Sequence, residues 1–584
     1  MNNATNMTSG LASTLSKLNP FVKSSRDEDD YGEEVGSDSV AGGGHASRVS
    51  KITKEELYVS RALKKFIIEE KILGEHDVNL HEVETTGALK ELLDKPHVHV
   101  PRELTDRSHP LTEYFISSSH NTYLLAHQLY GTSSAVAYEI SLKAGARCVE
   151  IDAWDNDDDK DEPKVTHGYT LTSNIAFRKV CETIRDVYDS EQAEGKLQSG
   201  YAAAPIMLSL ENHCGAHGQA RLAAIMKEVW ADRLLSKRIR DEGTRETEHS
   251  GEHVNLAELG SKIAVIVEYH LPGEADSDDE TEDDEPQDVK DQRHAYQQQK
   301  KESPKGVIIP ELAELGVYAQ SVKPSNNSWF ESELQDRPHN HLINVSESGL
   351  APLMAHSSPK ISKHNSQHLM RVYPKGIRIS SKNLNPVPFW GIGAQICALN
   401  WQTFDASMQL NEALFAGTDG YVLKPVALRA GGSGILNSGK KQKLQLRIAG
   451  ASNLSLPKGR EADDIKPYVT CTLVHPDDTD NEPPKRKTSG YHQHKLGLLH
   501  KGENPANTDP VWNETLEWTY EENELTFLRI LIKSDDSWAR NPVFAVATVR
   551  LLYVEGGWTF IRMLDLKGRE THCTMFVNFK VTEA

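Results

Sequence analysis

The chain has 584 residues, a length that favours three or four domains over one hydrophobic core. Its formal net charge of -20 argues against nucleic-acid binding, because phosphate backbones require a basic surface. No run of about 18 apolar residues predicts a membrane span, and the first residues lack a signal-peptide pattern. Six scattered cysteines without a Cys-x-x-Cys pair favour reduced thiols, and hence a cytoplasmic location, over disulfides or a zinc site.

The N-terminal region divides into a tail and a helical segment. Residues 1–50 are rich in Ser, Gly, Asn and acidic side chains, so we predict a disordered tail. Thr53 and Glu56 form a capping box that starts a helical segment over residues 51–103, with a second helix over 84–93. This segment contains no complete Asp-x-Asp-x-Asp-Gly loop, so we interpret it as a helical brace or an EF-hand-like remnant without calcium.

Residues 104–272 alternate between strand and helix patterns. This alternation predicts a parallel sheet, either open or closed into a barrel. An almost purely acidic run within residues 273–309 predicts a disordered linker, and folded sequence resumes over residues 310–430. The predicted strands of the first part cover residues 114–117, 147–153, 206–210 and 262–267, and two predicted helices cover residues 176–188 and 219–231.

The last part of the chain has an all-β pattern. A glycine-rich joint at residues 431–440 precedes it. Short runs of alternating apolar and polar residues, separated by Pro and Gly turns, predict a β-sandwich over residues 441–584. The predicted architecture is therefore a multidomain chain, with an α/β region in two halves followed by an all-β sandwich.

Ionisable residues collect in four segments of the α/β region. Each segment places such residues at or just beyond the end of a predicted strand, which is where catalytic residues collect in a parallel barrel. We therefore expect these residues to meet at one end of the sheet. The segments are SSSHNTYL (117–124), ARCVEIDAWD (146–155), HGYTLTS (167–173) and IMLSLENHCG (206–215).

An all-oxygen set of side chains stands out in these segments. Two of its acids, Glu150 and Asp152, are two residues apart and point to the same face of a strand. In total the set offers three carboxylates and one amide, which are ligands that Ca²⁺ prefers. One Glu-x-Asp pair alone is common on exposed strands, so the prediction of a metal site rests on the combination. The candidate ligands are Asn121, Glu150, Asp152 and Glu211, and the adjoining histidines are His120 and His167.

These segments resemble the X region of eukaryotic phosphoinositide-specific phospholipases C. RVYPKGIRISSKNLNPVPFWGIGAQICALNWQT (371–403) and GYVLKP (420–425) are similar to the Y region of that family, and the acidic run stands where the family has its X/Y linker. Residues 441–584 resemble the C2 domain that follows. The resemblance implies a distorted TIM barrel, split into an X half and a Y half.

The resemblance also implies an activity. By position, the four candidate ligands match the family's Ca²⁺ ligands, and His120 and His167 match its catalytic histidines. The implied reaction is Ca²⁺-dependent hydrolysis of an inositol phospholipid, through a 1,2-cyclic phosphate, to diacylglycerol and an inositol phosphate. The enzyme would act in lipid signalling, in the cytoplasm and peripherally on membranes. The sequence leaves open whether Glu150 or Glu211 is the general base.

Contacts to the headgroup and to the membrane are implied in the same way. Arg371 and Tyr373 match the residues that hold the inositol headgroup. Asn344 stands where the family has a serine, and Ser346 is close by. Three residues align with the apolar rim that contacts the bilayer. They are Leu129, Leu171 and Ile377.

The sequence departs from the family pattern at two further positions of the headgroup site. Ile266 and Glu268 align with two lysines that hold the 4- and 5-phosphates in the family. A carboxylate repels a phosphate, so phosphatidylinositol and its monophosphate stay as candidate substrates beside the 4,5-bisphosphate.

Calcium binding by the C2 region is open. Lys466 and Ser534 replace acidic residues of the family's loops, so a calcium-independent sandwich that docks on the barrel competes with a calcium-dependent membrane anchor. The candidate aspartates are Asp463, Asp464, Asp535 and Asp536.

Two other functions explain less of the sequence. A non-catalytic phosphoinositide-binding scaffold is expected to lose a histidine or a ligand, and none is lost here. Another barrel phosphodiesterase, such as one acting on glycerophosphodiesters, does not explain the Y region or the sandwich. No feature of the sequence indicates which protein activates the enzyme upstream.

Overall fold

The structure, a computed structural model, contains a parallel barrel and an antiparallel sandwich. The described residues are 35, 40–46, 57–80, 85–125, 132–166, 174–195, 200–240, 253–268, 307–322, 327–331, 340–374, 383–456, 459–478, 484–494, 503–535 and 543–584. Among these residues, no helix is both long enough and apolar enough to cross a bilayer.

Eight parallel strands form the barrel. They are β1 Tyr114–His120, β2 Cys148–Trp154, β3 Ile206–His213, β4 Ile263–Glu268, β5 Gln320–Val322, β6 His341–Ser346, β7 Leu369–Tyr373 and β8 Ile396–Asn400. Neighbouring strands pair in chain order, and β1 pairs with both β8 and β2. The sheet is therefore a closed barrel, and the four strands predicted between residues 114 and 267 are confirmed.

The connecting helices cover the barrel with apolar faces. In the helix between β2 and β3, Phe177, Val180 and Ile184 are buried at the spacing of three and four residues expected for a helix packed on a sheet. The α-helices are Arg61–Glu69, Glu75–Val78, Gly87–Asp94, Val136–Lys143, Phe177–Ala193, Ala216–Trp230, Leu256–Leu259, Pro310–Ala313, Glu347–Asn365, Pro386–Gly391 and Ala406–Phe415. The short 3-10 helices are Arg102–Thr105, Leu111–Glu113, Ala231–Arg233, Val426–Leu428, Ala462–Asp464 and Leu551–Tyr553.

The remaining strands lie outside the barrel wall. Tyr421–Leu423 pairs antiparallel with β1, and the short strands Leu124–Leu125, Thr132–Ser133, Lys164–Val165 and Ile175–Ala176 flank the barrel mouth. The sandwich strands are Lys441–Ser452, Pro467–Val474, Lys485–Lys487, Val511–Glu521, Phe527–Ser534, Val543–Arg550, Gly557–Leu564 and Glu570–Glu583. They form two four-stranded layers, which are joined through the pair Val546 and Leu564. The predicted all-β region is confirmed.

The sandwich docks tightly on the Y half of the barrel. Helix Ala406–Phe415 is buried along most of its length between the two domains. Tyr553 Oη donates a hydrogen bond of 2.9 Å to the carbonyl of Leu414, and Arg529 Nε donates one of 3.1 Å to Gln409 Oε1. Because apolar side chains of both domains belong to one core cluster, the two domains are expected to move as a unit.

The N-terminal helices brace the sandwich. Helix Arg61–Glu69 starts at Ser60, whose hydroxyl accepts a hydrogen bond from the Leu63 amide. Leu63 and Phe66 are buried against sandwich residues such as Phe576. The predicted capping box at residues 53–56 lies outside the described residues, and the observed helix begins later than we expected.

Part of the predicted disordered tail is packed instead. Residues 40–46 run between the barrel and the sandwich, and Val40 and Ala41 are buried. A Cβ atom on Gly43 would lie 2.8 Å from the Cβ of Ala144, and one on Gly44 would lie 2.4 Å from Leu564. The glycine run is therefore needed for close backbone approach, which composition alone does not distinguish from disorder.

Glu412 fixes this N-terminal segment. Its buried carboxylate accepts backbone hydrogen bonds from Gly43 at 2.8 Å, Ala46 at 2.6 Å and His45. Glu412→Ala leaves the buried Ala46 amide and the half-buried amides of Gly43 and His45 without this acceptor, so we expect the free energy of unfolding in urea to fall by about 2–4 kcal/mol. The matched control is the same substitution in a chain that lacks residues 1–46. An equal loss in both backgrounds contradicts this assignment.

Candidate active site

Polar side chains converge at the carboxyl ends of the barrel strands. His120 is the last residue of β1, and Asp152 on β2 pairs in register with Glu211 on β3. On the opposite wall, Arg371 on β7 pairs in register with Asn344 on β6. The predicted clustering of the polar segments at one end of a parallel sheet is therefore present in the structure.

A buried ion pair crosses the barrel interior. The side chains of Arg371 and Glu150 are each only 1% exposed, and Arg371 Nη2 donates to Glu150 Oε1. Arg371 Nη1 donates to Asn344 Oδ1 at 3.1 Å and lies 3.8 Å from Glu211 Oε1. Because β2 and β7 are not neighbours, this pair connects the X half to the Y half through the centre of the site. The guanidinium is therefore held in place by side chains of both halves.

The turn after β1 is built around Asn121. This residue has φ = 47°, a left-handed conformation that Asn tolerates better than most residues. The turn directs its backbone amide to Glu150 Oε2 at 2.6 Å. The hydroxyl of Tyr123 lies 2.9 Å from Asn121 Oδ1 and 2.6 Å from Asp152 Oδ2. Tyr123 therefore orients two of the predicted metal ligands.

The carboxylates strongly influence one another. Burial, Glu211 and Glu150, in that order, raise the pKa of Asp152 well above its ordinary value. Desolvation and the charge of Glu150 raise the pKa of Glu211 as well. The Glu211 side chain is 37% exposed, so solvent screens it more than Asp152. Holding three acids together without a cation is unfavourable, and a bound cation relieves this repulsion.

The donor set fits a hard divalent cation. Asp152 Oδ1 is buried and has no hydrogen-bond partner among the described residues. Ligand atoms of Asp152, Glu211 and His213 lie within 4.8 Å of one another. Burial and then the charge of Glu150 raise the pKa of Glu211, so Glu150 adjoins this group, and it accepts a hydrogen bond from the Asn121 amide. These oxygens are the ligand type that Ca²⁺ prefers, and His213 was not part of the predicted set.

His120 is held in one orientation. Its Nδ1 donates to Asn400 Oδ1 at 2.8 Å, so Nε2 faces the site, 3.9 Å from Glu150 Oε2. Burial and then the charge of Arg371 lower the pKa of His120 to about 4. The imidazole is therefore neutral at physiological pH in the ligand-free site, with its lone pair on Nε2.

Two other predicted positions, Ser346 and Tyr373, lie within the described residues. The Ser346 hydroxyl accepts from the Gly349 amide at 3.1 Å and caps helix Glu347–Asn365, so it has a structural role. Tyr373 lies at the end of β7, with its ring 5.7 Å from the Arg371 guanidinium carbon. His167 and the predicted membrane rim lie outside the described residues. The rim residues are Leu129, Leu171 and Ile377.

The two departures from the family pattern lie on β4. Ile266 pairs in register with Ser209, which in turn pairs with Glu150, so Ile266 lies in the same layer as the buried ion pair. Ile266 is 1% exposed. Glu268 follows at the end of the strand, at the level of Glu211. The structure therefore places a carboxylate at the mouth, on the wall where the family has a lysine.

Sequence reasoning missed residues that position others. Asn400 and Tyr123 lie inside the quoted motifs ALNWQT and SHNTYL, but no spacing rule assigns them a role. Asn400 is itself held by Asn383, whose Nδ2 donates to the Asn400 carbonyl at 3.0 Å. His213 stacks on Trp154 with ring centroids 4.1 Å apart. Only the folded geometry brings these partners together.

Comparisons with known proteins identify three domains in the chain. The family model described as phosphatidylinositol-specific phospholipase C, X domain, matches residues 107–269, and the model of the Y domain matches residues 312–427. The C2 domain model matches residues 442–559. Human 1-phosphatidylinositol 4,5-bisphosphate phosphodiesterase zeta-1 is 30% identical over 469 residues, and the alignment covers 79% of this chain and 72% of that protein.

The chain belongs to the phosphoinositide-specific phospholipase C family. Among its relatives, the delta-4 phosphodiesterase of Xenopus laevis is 31% identical, with 82% of this chain and 61% of that protein covered. Phosphodiesterase 1 of Candida albicans is 29% identical, with 85% and 50% covered. The chain thus spans about half to three fifths of the length of these two relatives. The crystal structure of L. pealei PLC21 has the same fold, with a TM-score of 0.66, 24% identity, and 89% of this chain and 62% of that chain covered.

The loops of this chain's C2 domain differ from the barrel mouth in their possible metal ligands. The Asp535 amide donates to the Lys466 carbonyl at 3.0 Å, so a lysine lies beside the candidate aspartates. Asp464 Oδ2 accepts from the Glu461 amide at 2.9 Å. Within the described part of these loops, no group of three metal-ligating side chains occurs. Asp536 lies outside the described residues.

Proposed function

We propose that the chain is a Ca²⁺-dependent phosphoinositide phospholipase C. It hydrolyses inositol phospholipids to diacylglycerol and an inositol phosphate at the cytoplasmic face of a membrane. The observation that carries this proposal is the barrel mouth, where three carboxylates, the fixed Arg371 and His120 converge in a chain of this family. Its relatives bear the name 1-phosphatidylinositol 4,5-bisphosphate phosphodiesterase.

The mechanism begins with activation of the inositol 2-hydroxyl. Ca²⁺, when bound, lowers the pKa of that hydroxyl and neutralises charge on the phosphoryl oxygens. Glu211 is the better candidate for the general base, because its carboxylate is partly exposed and its pKa is raised. Glu150 has both oxygens occupied, by Arg371 and by the Asn121 amide. The residues that would hold the ion are Asn121, Glu150, Asp152 and Glu211.

His120 supports the phosphoryl group. Attack of the 2-hydroxyl oxygen on phosphorus breaks the bond to the glycerol oxygen and gives a 1,2-cyclic phosphate. With Nδ1 bonded to Asn400, Nε2 is the atom that meets the phosphoryl oxygen. An anionic phosphate beside Nε2 raises the pKa of His120 from its low ligand-free value, so the ring gains a proton and donates a hydrogen bond.

His167 completes the reaction in this proposal. It protonates the departing glycerol oxygen and later takes a proton from the water that opens the cyclic phosphate. This role rests on its place in HGYTLTS. The rim residues Leu129, Leu171 and Ile377 contact the bilayer, and Arg371 with Tyr373 contacts the headgroup.

The proposed function is tested by release of water-soluble inositol phosphates. Vesicles containing phosphatidylinositol, its 4-phosphate or its 4,5-bisphosphate are assayed with Ca²⁺ and with a chelator. We expect release with Ca²⁺ only. No release from any of the three lipids under either condition contradicts the proposal.

The headgroup preference gives a separate prediction. Because Ile266 and Glu268 offer no cation, we expect kcat/KM for phosphatidylinositol and the 4,5-bisphosphate to lie within about tenfold of each other. Glu268→Lys should raise the ratio in favour of the bisphosphate by about tenfold, since repulsion becomes attraction. The matched control is Glu194→Lys, an exposed charge reversal at the other end of the barrel. An unchanged ratio in Glu268→Lys places the phosphates away from β4.

A further inference from the structure

Three histidines cluster at the amino end of the barrel, opposite the active-site mouth. His341 is the first residue of β6, and His368 directly precedes β7. His364 lies in the last turn of helix Glu347–Asn365. The His368 amide donates to the His364 carbonyl at 3.0 Å, so these two residues lie one helical turn apart on the same face.

The ring nitrogens are close enough to share one ion. Ligand atoms of His341, His364 and His368 lie within 4.8 Å of one another. His341 Nε2 and His364 Nε2 are 3.0 Å apart, and the His341 and His368 rings stack at 3.8 Å. Imidazole nitrogens around a tetrahedral Zn²⁺, each about 2.0–2.1 Å from the metal, are about 3.3 Å apart. The His341 and His364 nitrogens already lie near this spacing, and the His368 ring must turn out of its stack on His341 to direct a nitrogen at the same ion.

A second layer of contacts orients the cluster. Asn365 Oδ1 lies 3.2 Å from His364 Nδ1, and the Asn365 Nδ2 donates to the Ile392 carbonyl at 3.0 Å. This second bond fixes the amide, so its oxygen accepts the Nδ1 proton and leaves His364 Nε2 as a lone pair. Metal-ligating histidines are commonly oriented in this way. Trp329 packs edge-on against the His364 ring, with centroids 4.9 Å apart.

A small cavity adjoins the cluster. It has a volume of about 40 Å³, which holds a water molecule, and both His341 and His368 line it. Its other walls include His253 and Leu111 from the X half and Tyr318 from the Y half. The cavity supplies room for a water molecule as fourth ligand. It also places the cluster at the seam between the two halves of the barrel.

We propose that His341, His364 and His368 form a structural site for a divalent transition metal such as Zn²⁺. Three imidazoles suit Zn²⁺, Co²⁺, Ni²⁺ or Cu²⁺ and do not suit Ca²⁺, which requires oxygen ligands. The metal ties the start of β6 to the start of β7 and to the helix between them. The site is separate from the catalytic carboxylates and independent of the proposed reaction.

The experiment compares metal binding in untagged proteins. Wild type and His364→Gln/His368→Gln are dialysed against Zn²⁺, and bound zinc is counted by mass spectrometry. Asp152, Glu211 and His213 are present in both, so zinc bound at the mouth cancels in the difference. We expect wild type to bind one more equivalent, and His364→Gln alone to weaken that equivalent at least about tenfold. The control His356→Gln changes an exposed histidine of the same helix.

Two further measurements decide the outcome. Co²⁺ bound to wild type should give the visible absorption of a nitrogen-ligated tetrahedral ion, and the double variant should lack it. If the double variant fails to fold, which circular dichroism reports, the spectrum of His364→Gln is compared with that of wild type instead, because His213 at the mouth is present in both. Equal zinc content in wild type and a folded double variant, or wild-type Co²⁺ without nitrogen-ligand absorption, overturns the proposal. The cluster is then a hydrogen-bonded stack of imidazoles only.

Discussion

Exchange of His120 for glutamine is expected to lower kcat/KM on phosphatidylinositol by about 10²–10³-fold. Glutamine stays uncharged where the imidazole takes up a proton. The charge-assisted hydrogen bond to the phosphoryl oxygen in the transition state is therefore lost. The fold should be retained, because His120 lies at the barrel mouth and its Nδ1 hydrogen bond is to the neutral side chain of Asn400. Hydrolysis is measured with Ca²⁺ in excess, so that a change in metal affinity is not mistaken for a change in chemistry.

A matched control separates this effect from the loss of any histidine. His217→Gln removes an exposed imidazole that pairs with Asp161 and should leave kcat/KM unchanged. Thermal unfolding of both variants should agree with wild type within a few degrees. If His120→Gln and His217→Gln both retain activity within tenfold of wild type, the proposed role of His120 is wrong.

The positioning role of Asn400 has its own pH signature. In the ligand-free enzyme the pKa of His120 is about 4, so the ring is neutral above about pH 5 and adds no inflection to kcat/KM near neutrality. Asn400→Asp places a carboxylate beside Nδ1 and raises that pKa, so an inflection should appear between about pH 5 and 7. A merely structural Asn400 would change the amplitude of the profile without this new inflection.

The positions of the polar side chains in the X half were predictable from the sequence for a physical reason. In β2 and β3 a run of apolar residues ends in carboxylates, and β1 ends in His120. The sequence of each strand therefore shows which of its residues are buried and at which end its polar side chains lie. Parallel strands bring such ends to one edge. The positions of Glu150, Asp152 and Glu211 follow from that rule.

The Y half was less predictable because its strands are short and contain polar core residues. β5 has three residues, and β7, Leu369–Tyr373, has Arg371 buried at its centre. A buried arginine interrupts the alternation of apolar and polar residues from which a strand is predicted. Its partner Glu150 is 221 positions away in the chain, so only the closed barrel shows why the charge is tolerated. The histidine cluster also combines residues from β6, from the helix that follows it and from the turn before β7, so no short motif marks it in the sequence.

Asp152→Asn is expected to raise the Ca²⁺ concentration for half-maximal hydrolysis by at least about 100-fold. The amide keeps the shape of the carboxylate but removes one negative charge from the ligand set. Asp152 Oδ1, which is buried without a hydrogen-bond partner among the described residues, is the oxygen most clearly available to a cation. Activity should recover in part at high Ca²⁺, because the remaining ligands and His120 are intact.

The same variant should be more stable than wild type when Ca²⁺ is absent. The folded-state pKa of Asp152 is raised, so its ionised form at pH 7 destabilises the ligand-free protein, and this penalty falls as the pH is lowered toward the ordinary carboxylate range. Asp152→Asn removes the penalty, and the thermal midpoint in chelator should rise at pH 7 and converge with wild type near pH 4.

Asp157→Asn, an exposed exchange five residues along, should change neither the midpoint nor the Ca²⁺ requirement. A Ca²⁺ requirement that stays at the wild-type level in Asp152→Asn would mean that the metal does not bind at this cluster. A lower midpoint in chelator would mean that the three acids do not repel one another as the geometry indicates.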